Sequence, residues 1–143
     1  MSKFSQNDAK FKELRALNLP LGRYAVTSSG PLGIREIRAI SDIDLVLDDD
    51  LWDELSAKYP VVEKDGVHLI QISENIEALG KGSFFVPEPG SHPSMMDQIH
   101  QAEVIDGLPF VNLRHILYFK KLMNRPKDAA DIEALEQLLK ESK

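Results

Sequence analysis

Two aspartates, Asp42 and Asp44, stand two positions apart in Ser41-Asp42-Ile43-Asp44-Leu45-Val46. On a strand, residues i and i+2 project from one face about 7 Å apart, so both carboxylates can reach one or two hard cations. Taken alone, such a pair is better read as a turn cap followed by a solvent-facing acid, because short motifs recur by chance. Its surroundings change that reading. Upstream, Tyr24-Ala25-Val26-Thr27 runs into Ser28-Ser29-Gly30-Pro31, a turn with the hydroxyls and backbone N–H groups that hold phosphate oxygens. An anion-holding turn that returns to a cation-holding strand is suited to a nucleoside triphosphate and its divalent metal.

Other residues can contribute. Lys120, Lys121, Arg125 and Lys127 close one helix and open the next. They can neutralise triphosphate charge, with Lys121 and Lys127 the preferred pair, or simply complement a helix dipole. His68, His92, His100 and His115 show no zinc-like spacing. Trp52, between Leu51 and Leu55, reads as core or interface rather than a base-stacking platform. The chain has no Walker-type lysine loop, dinucleotide glycine fingerprint or serine-hydrolase elbow.

The elements that must position these groups follow from periodicity. Phe11, Leu14 and Leu17 predict a helix over 8–17, stopped by Leu19-Pro20-Leu21-Gly22. Strands are expected at Tyr24–Thr27 and at Ile43–Leu47, with Ile43, Leu45 and Leu47 on one face and Asp42, Asp44 and Val46 on the other. A short helix is expected over Gly33–Ile40 between them, and a helix with an Asp N-cap from the run Asp48-Asp49-Asp50 runs to about Tyr59. Val61-Val62, Val67–Ile72 and Ile76–Leu79 read as strands, the first two about Lys64-Asp65-Gly66. Gly80 to Pro93 reads as a loop with a short strand at Ser83–Val86 that can cover a site or shape it for an acceptor. Ala102–Ile105 and Leu108–Val111 form strands about Asp106-Gly107. A helix from Leu113 through Met123 then ends at Pro126, and Asp128 caps a final helix with Ile132, Leu135, Leu138 and Leu139 in a stripe. The order predicts one α/β (α+β) domain over 1–143, a mixed central sheet with flanking helices and a C-terminal helix pair.

Composition narrows the function classes. With 143 residues and 43% hydrophobic content the chain supports one core. It has no cysteine, which excludes disulfides and thiolate metal sites. The polar N-terminal stretch and the lack of a long apolar window point to a cytoplasmic protein with no membrane partner. A net charge of −6 disfavours a broad surface for duplex nucleic acid.

The stretches Thr27-Ser28-Ser29-Gly30-Pro31-Leu32-Gly33-Ile34-Arg35 and Ser41-Asp42-Ile43-Asp44-Leu45-Val46 together resemble the nucleotidyltransferase-fold superfamily, whose members carry a Gly-Ser turn followed by an Asp-x-Asp strand. Val104-Ile105-Asp106-Gly107-Leu108-Pro109-Phe110, Lys120-Lys121 and Arg125-Pro126-Lys127-Asp128 through Ile132 resemble the C-terminal part of small bacterial members, including toxin-type, abortive-infection-like nucleotidyltransferases. The resemblance implies metal-dependent transfer of a nucleoside monophosphate from a nucleoside triphosphate to an acceptor, with Mg²⁺ or Mn²⁺. It puts Ser28, Ser29 and Gly30 on the nucleotide, with Ser28 where the family usually has glycine, and makes Asp42 and Asp44 metal ligands and catalytic residues. It also implies a third acid on a neighbouring strand. Glu77, in Asn75-Ile76-Glu77-Ala78, is the candidate, its other reading being a solvent-facing strand residue. The alternative is a non-catalytic nucleotide-binding protein, or one that binds a protein partner as toxin–antitoxin components do.

Overall fold

The structure is a computed structural model that describes residues 5–64, 66–81, 83, 94–123 and 125–141. Phe11 and Leu14, one helical turn apart, put an apolar stripe on helix α1 (Ser5–Ala16) and are both fully buried. The Phe11 ring meets Phe110 edge-on at 5.6 Å, an arrangement aromatic quadrupoles favour. Asn18, at φ 52°, then turns the chain out of the helix.

Strands β1 (Tyr24–Thr27), β2 (Ile43–Leu47), β3 (Val61–Lys64), β4 (Val67–Gln71), β5 (Ile76–Leu79), β6 (Glu103–Ile105) and β7 (Leu108–Phe110) form one seven-stranded sheet in the order β3-β4-β5-β2-β1-β7-β6. It is mixed: β1 pairs antiparallel with β2 and parallel with β7, while β2 pairs parallel with β5. Alternation divides its side chains between two cores. Tyr24, Val26, Ile43, Leu45, Leu47, Ile76 and Phe110 pack with α1 and with Leu51, Trp52 and Leu55 of α3 (Asp49–Ser56). Ala25 and Val46 point the other way. They pack with Leu32 of the one-turn helix α2 (Gly30–Gly33), Ile99 of α4 (Met95–His100), Ile116 of α5 (Leu113–Met123) and Leu135 of α6 (Ala129–Glu141). The architecture is thus a mixed sheet between helical layers, closed by the C-terminal pair α5–α6.

Several expectations need correction. The helix expected over Gly33–Ile40 is instead α2, three residues earlier in onset and ended at Gly33, because Glu36 takes φ 59° and cannot continue a right-handed helix. Gly30 and Gly33 pack too closely for a side chain: a Cβ would stand 2.2 Å from Val26 and 2.7 Å from Ile40. Helix α3 stops at Ser56, and Lys58 and Tyr59 turn back onto the Leu55 carbonyl. Asp128 does not cap α6; it sits in a 3-10 turn (Pro126–Asp128) with its carboxylate on Lys120 and Arg125. Helix α4 was not among the expected elements, although Ser94 and Asp97 form a reciprocal capping box. The strand expected at Ser83–Val86 lies outside the described residues apart from Ser83. Among the described residues no helix is long and apolar enough to cross a membrane.

Candidate functional site

Asp44 stands opposite Thr27 across the β1–β2 ladder and opposite Glu77 across the β2–β5 ladder. Alternation turns all three toward the α4–α6 layer, since Ala25, Val46 and Leu79, each two residues along, pack into that core. Thr27, Asp44 and Glu77 therefore form a row over three neighbouring strands, at about 4.8 Å from strand to strand. Asp42 extends the row just ahead of β2. Glu77 is buried, and Asp42 and Asp44 are partly so.

This crowding shows in the proton affinity of Asp44, whose pKa is pushed up to about 6. Burial is the main cause, the Glu77 carboxylate the second, and Asp42 adds to them. The Ser28 hydroxyl and the Lys64 ammonium pull in the opposite direction without cancelling the rise. Lys64 lies two strands away, on β3, and reaches diagonally over β4 to ion-pair with Glu77. Among the described residues, three carboxylates thus share the Lys64 ammonium.

Helix α1 holds both approaches to the row. Buried Asn7 donates to the Arg38 carbonyl at 2.9 Å and accepts from the Ile40 N–H at 2.9 Å, and Lys10 donates to the Ile40 carbonyl. These bonds fix the chain immediately before Asp42. Glu13 accepts from the Ser73 hydroxyl and the Asn75 amide, and Ile43 N–H donates to the Asn75 carbonyl at 2.7 Å, so the entries to β2 and β5 are tied together.

The serine turn leads from β1 to the same end of the sheet. Ser28 is in the left-handed region at φ 57°, where only glycine is free of strain, which gives a physical reason for glycine to suit this position. Its Cβ carries the hydroxyl that favours the Asp44 anion. Ser29 precedes α2 and accepts the N–H groups of Leu32 and Gly33 on its carbonyl. Gly30 is buried against Val26, so its lack of a side chain is needed for packing.

The basic residues divide differently from expectation. Lys121 is half-exposed and pairs with Glu136, Lys127 is exposed on the 3-10 turn, and neither is among the charges that act on Asp44. Lys120 is instead buried, at 3.2 Å from Asp128 and 3.3 Å from Asp131. Arg125 joins Asp128 at 2.7 Å, and Arg38 joins Asp131 at 2.5 Å. Burial opposes the Asp128 anion, yet Arg125 and Lys120 outweigh it and hold its pKa below the ordinary value. The Arg38 contact ties the segment before Asp42 to α6.

Asn7 and Lys64 were missed by sequence reasoning, and Lys120, named there for triphosphate charge, is paired with Asp128 and Asp131. Lys120 had a readable signal: it falls four residues after Ile116 and seven after Leu113, on the apolar stripe of α5. Lys64 had none, because a turn lysine gives no indication of how far over the sheet it will reach.

The donor set suits a hard divalent ion: Asp42, Asp44 and Glu77 offer only carboxylate oxygens, and Asp44 carries uncompensated repulsion that a cation would relieve. As the side chains stand, no three His, Asp or Glu groups among the described residues are gathered as metal ligands, and Lys64 occupies Glu77. Two surface hollows of about 280 Å³ lie elsewhere, one between α1 and the α2 segment and one around Leu19, Leu21 and Tyr24. The acid row lines neither. Comparison of the chain with protein-family models, with curated proteins and with solved structures gives no match in any of the three.

Proposed function

We propose that the chain is a metal-dependent nucleotidyltransferase, which moves a nucleoside monophosphate from a nucleoside triphosphate to an acceptor hydroxyl and releases pyrophosphate. The observation that supports this reading best is the excess of negative charge at the row: Asp44 is pressed by burial, Glu77 and Asp42, and the Lys64 ammonium only partly offsets them. Asp42, Asp44 and Glu77 would hold Mg²⁺ or Mn²⁺, which when bound supplies charge stabilisation to the phosphates and lowers the proton affinity of the attacking hydroxyl. The chain's own part is positioning. Ser28 and Ser29 present donors at the end of β1, and the buried Gly30 lets the turn close on Val26. Asn7 and Glu13 hold the strand entries, so that the carboxylates stay aligned while charge develops. In phosphoryl transfer such alignment and charge stabilisation provide most of the rate.

Transfer of label from each α-phosphate-labelled ribonucleoside triphosphate to protein, RNA or small molecules, with Mg²⁺ or Mn²⁺, tests this. Asp42→Asn and Asp44→Asn should each abolish it while leaving the fold intact; full transfer by both variants would remove the mechanism. A second reading, nucleotide binding without transfer, draws support from the Lys64–Glu77 pair, which already neutralises the third acid. It predicts stabilisation by a nucleotide with no label transfer.

A further inference from the structure

We propose that Lys64 is the site's internal cation: its ammonium holds Glu77 in the metal-free protein and leaves it when a divalent ion binds. The inference rests on the metal-dependent reading above. Glu77 is buried beside Asp44 in parallel register, so two carboxylates face one another across a single strand spacing. Left alone they would repel at close range in a poorly solvated place. The fold relieves this from an unusual distance, with a lysine from edge strand β3 reaching past β4. The Lys64 side chain remains about half exposed, 51%, against 11% for Glu77. Its head can therefore return to water at little cost, whereas the Glu77 carboxylate cannot move away. Asp42 and Asp44 act on Lys64 too, so the ammonium lies in the field of all three acids.

A divalent ion shared by Asp44 and Glu77 would take the oxygen that Lys64 holds, and the two cations would repel. Metal binding and the ion pair are then alternatives, and the pair lowers apparent metal affinity by the fraction of molecules in which Glu77 is free. For a pair with one solvent-exposed partner that factor is about fivefold.

Two measurements without turnover test this. In the wild type, acylation of Lys64 by an amine reagent, followed by mass spectrometry, should accelerate when Mn²⁺ is added, while that of Lys12, exposed on α1, should not. Calorimetric titration with Mn²⁺ alone should show Lys64→Gln binding about fivefold more tightly than wild type. Mn²⁺ binding with unchanged Lys64 reactivity and equal affinity in the two proteins would overturn the proposal and leave the functional reading standing. No Mn²⁺ binding by either protein would overturn both.

Discussion

Around Lys120, two carboxylates meet three cations: Asp128 and Asp131 are satisfied by Lys120, Arg125 and Arg38. Around Asp44, three carboxylates meet, among the described residues, one ammonium, that of Lys64. Both groups are partly or wholly buried, and their pKa values diverge accordingly. Asp128 is held below its ordinary value despite burial, and Asp44 is pushed up to about 6. The first group is complete within the chain and joins α5, α6 and the segment leading to Asp42. The second is left with negative charge to spare at the end of a serine turn. A buried group of charges that balances can serve the fold alone, whereas one that does not balance stores a demand for a cation from outside.

Replacing Lys120 by Ala should give the largest effect on this contrast, because it takes the shared buried partner from two buried acids and leaves each with one partly exposed arginine. A loss of about 3–5 kcal/mol in urea unfolding is expected, and a loss below about 1 kcal/mol would show that the group is not a structural unit. Asn7→Ala removes no charge but frees the chain before Asp42 by leaving the Ile40 N–H and Arg38 carbonyl without their partner. It should cost about 3 kcal/mol, so that placement of the acids can be separated from their electrostatics.

Asp44→Asn should do the reverse of Lys120→Ala and stabilise the metal-free protein by about 3 kcal/mol at neutral pH, from the raised pKa. Folded Asp44 keeps its proton to about pH 6, whereas the unfolded chain releases it near the ordinary value of 3.8. The folded state therefore binds more protons between those values, and this residue's contribution to stability falls as pH rises from about 4 to about 6. Thermal unfolding over that range should lose this component in Asp44→Asn, while a pH profile identical to the wild type would contradict the crowding at Asp44. The smallest change is expected for Ser28→Gly, where relief of the left-handed conformation and the greater freedom of the unfolded chain oppose each other within about 1 kcal/mol.

The balanced and unbalanced groups also differed in how far the sequence revealed them. Strands β1, β2 and β5 match the apolar runs at Tyr24–Thr27, Ile43–Leu47 and Ile76–Leu79, so alternation alone placed Asp42 and Asp44 on one face. That Glu77 lies beside Asp44 depends on β5 pairing parallel with β2, a long-range choice with no local signal. The segment Gly33–Ile40 is expected as helix, and the positive φ of Glu36 and the grip of Asn7 decide otherwise. Lys121 and Lys127 stood out by charge clustering, but on α5 the inward position belongs to Lys120. A one-residue difference in helical phase separates a buried ion pair from a surface one.

The most direct test of the uncompensated acid row is thermal unfolding of wild type and Asp44→Asn at pH 7.5, with and without millimolar Mg²⁺ and a nucleoside triphosphate. A metal-dependent rise in Tm for the wild type that disappears in Asp44→Asn is the predicted result. An unchanged Tm for the wild type with every metal and nucleotide, or an equal rise in the variant, would contradict it.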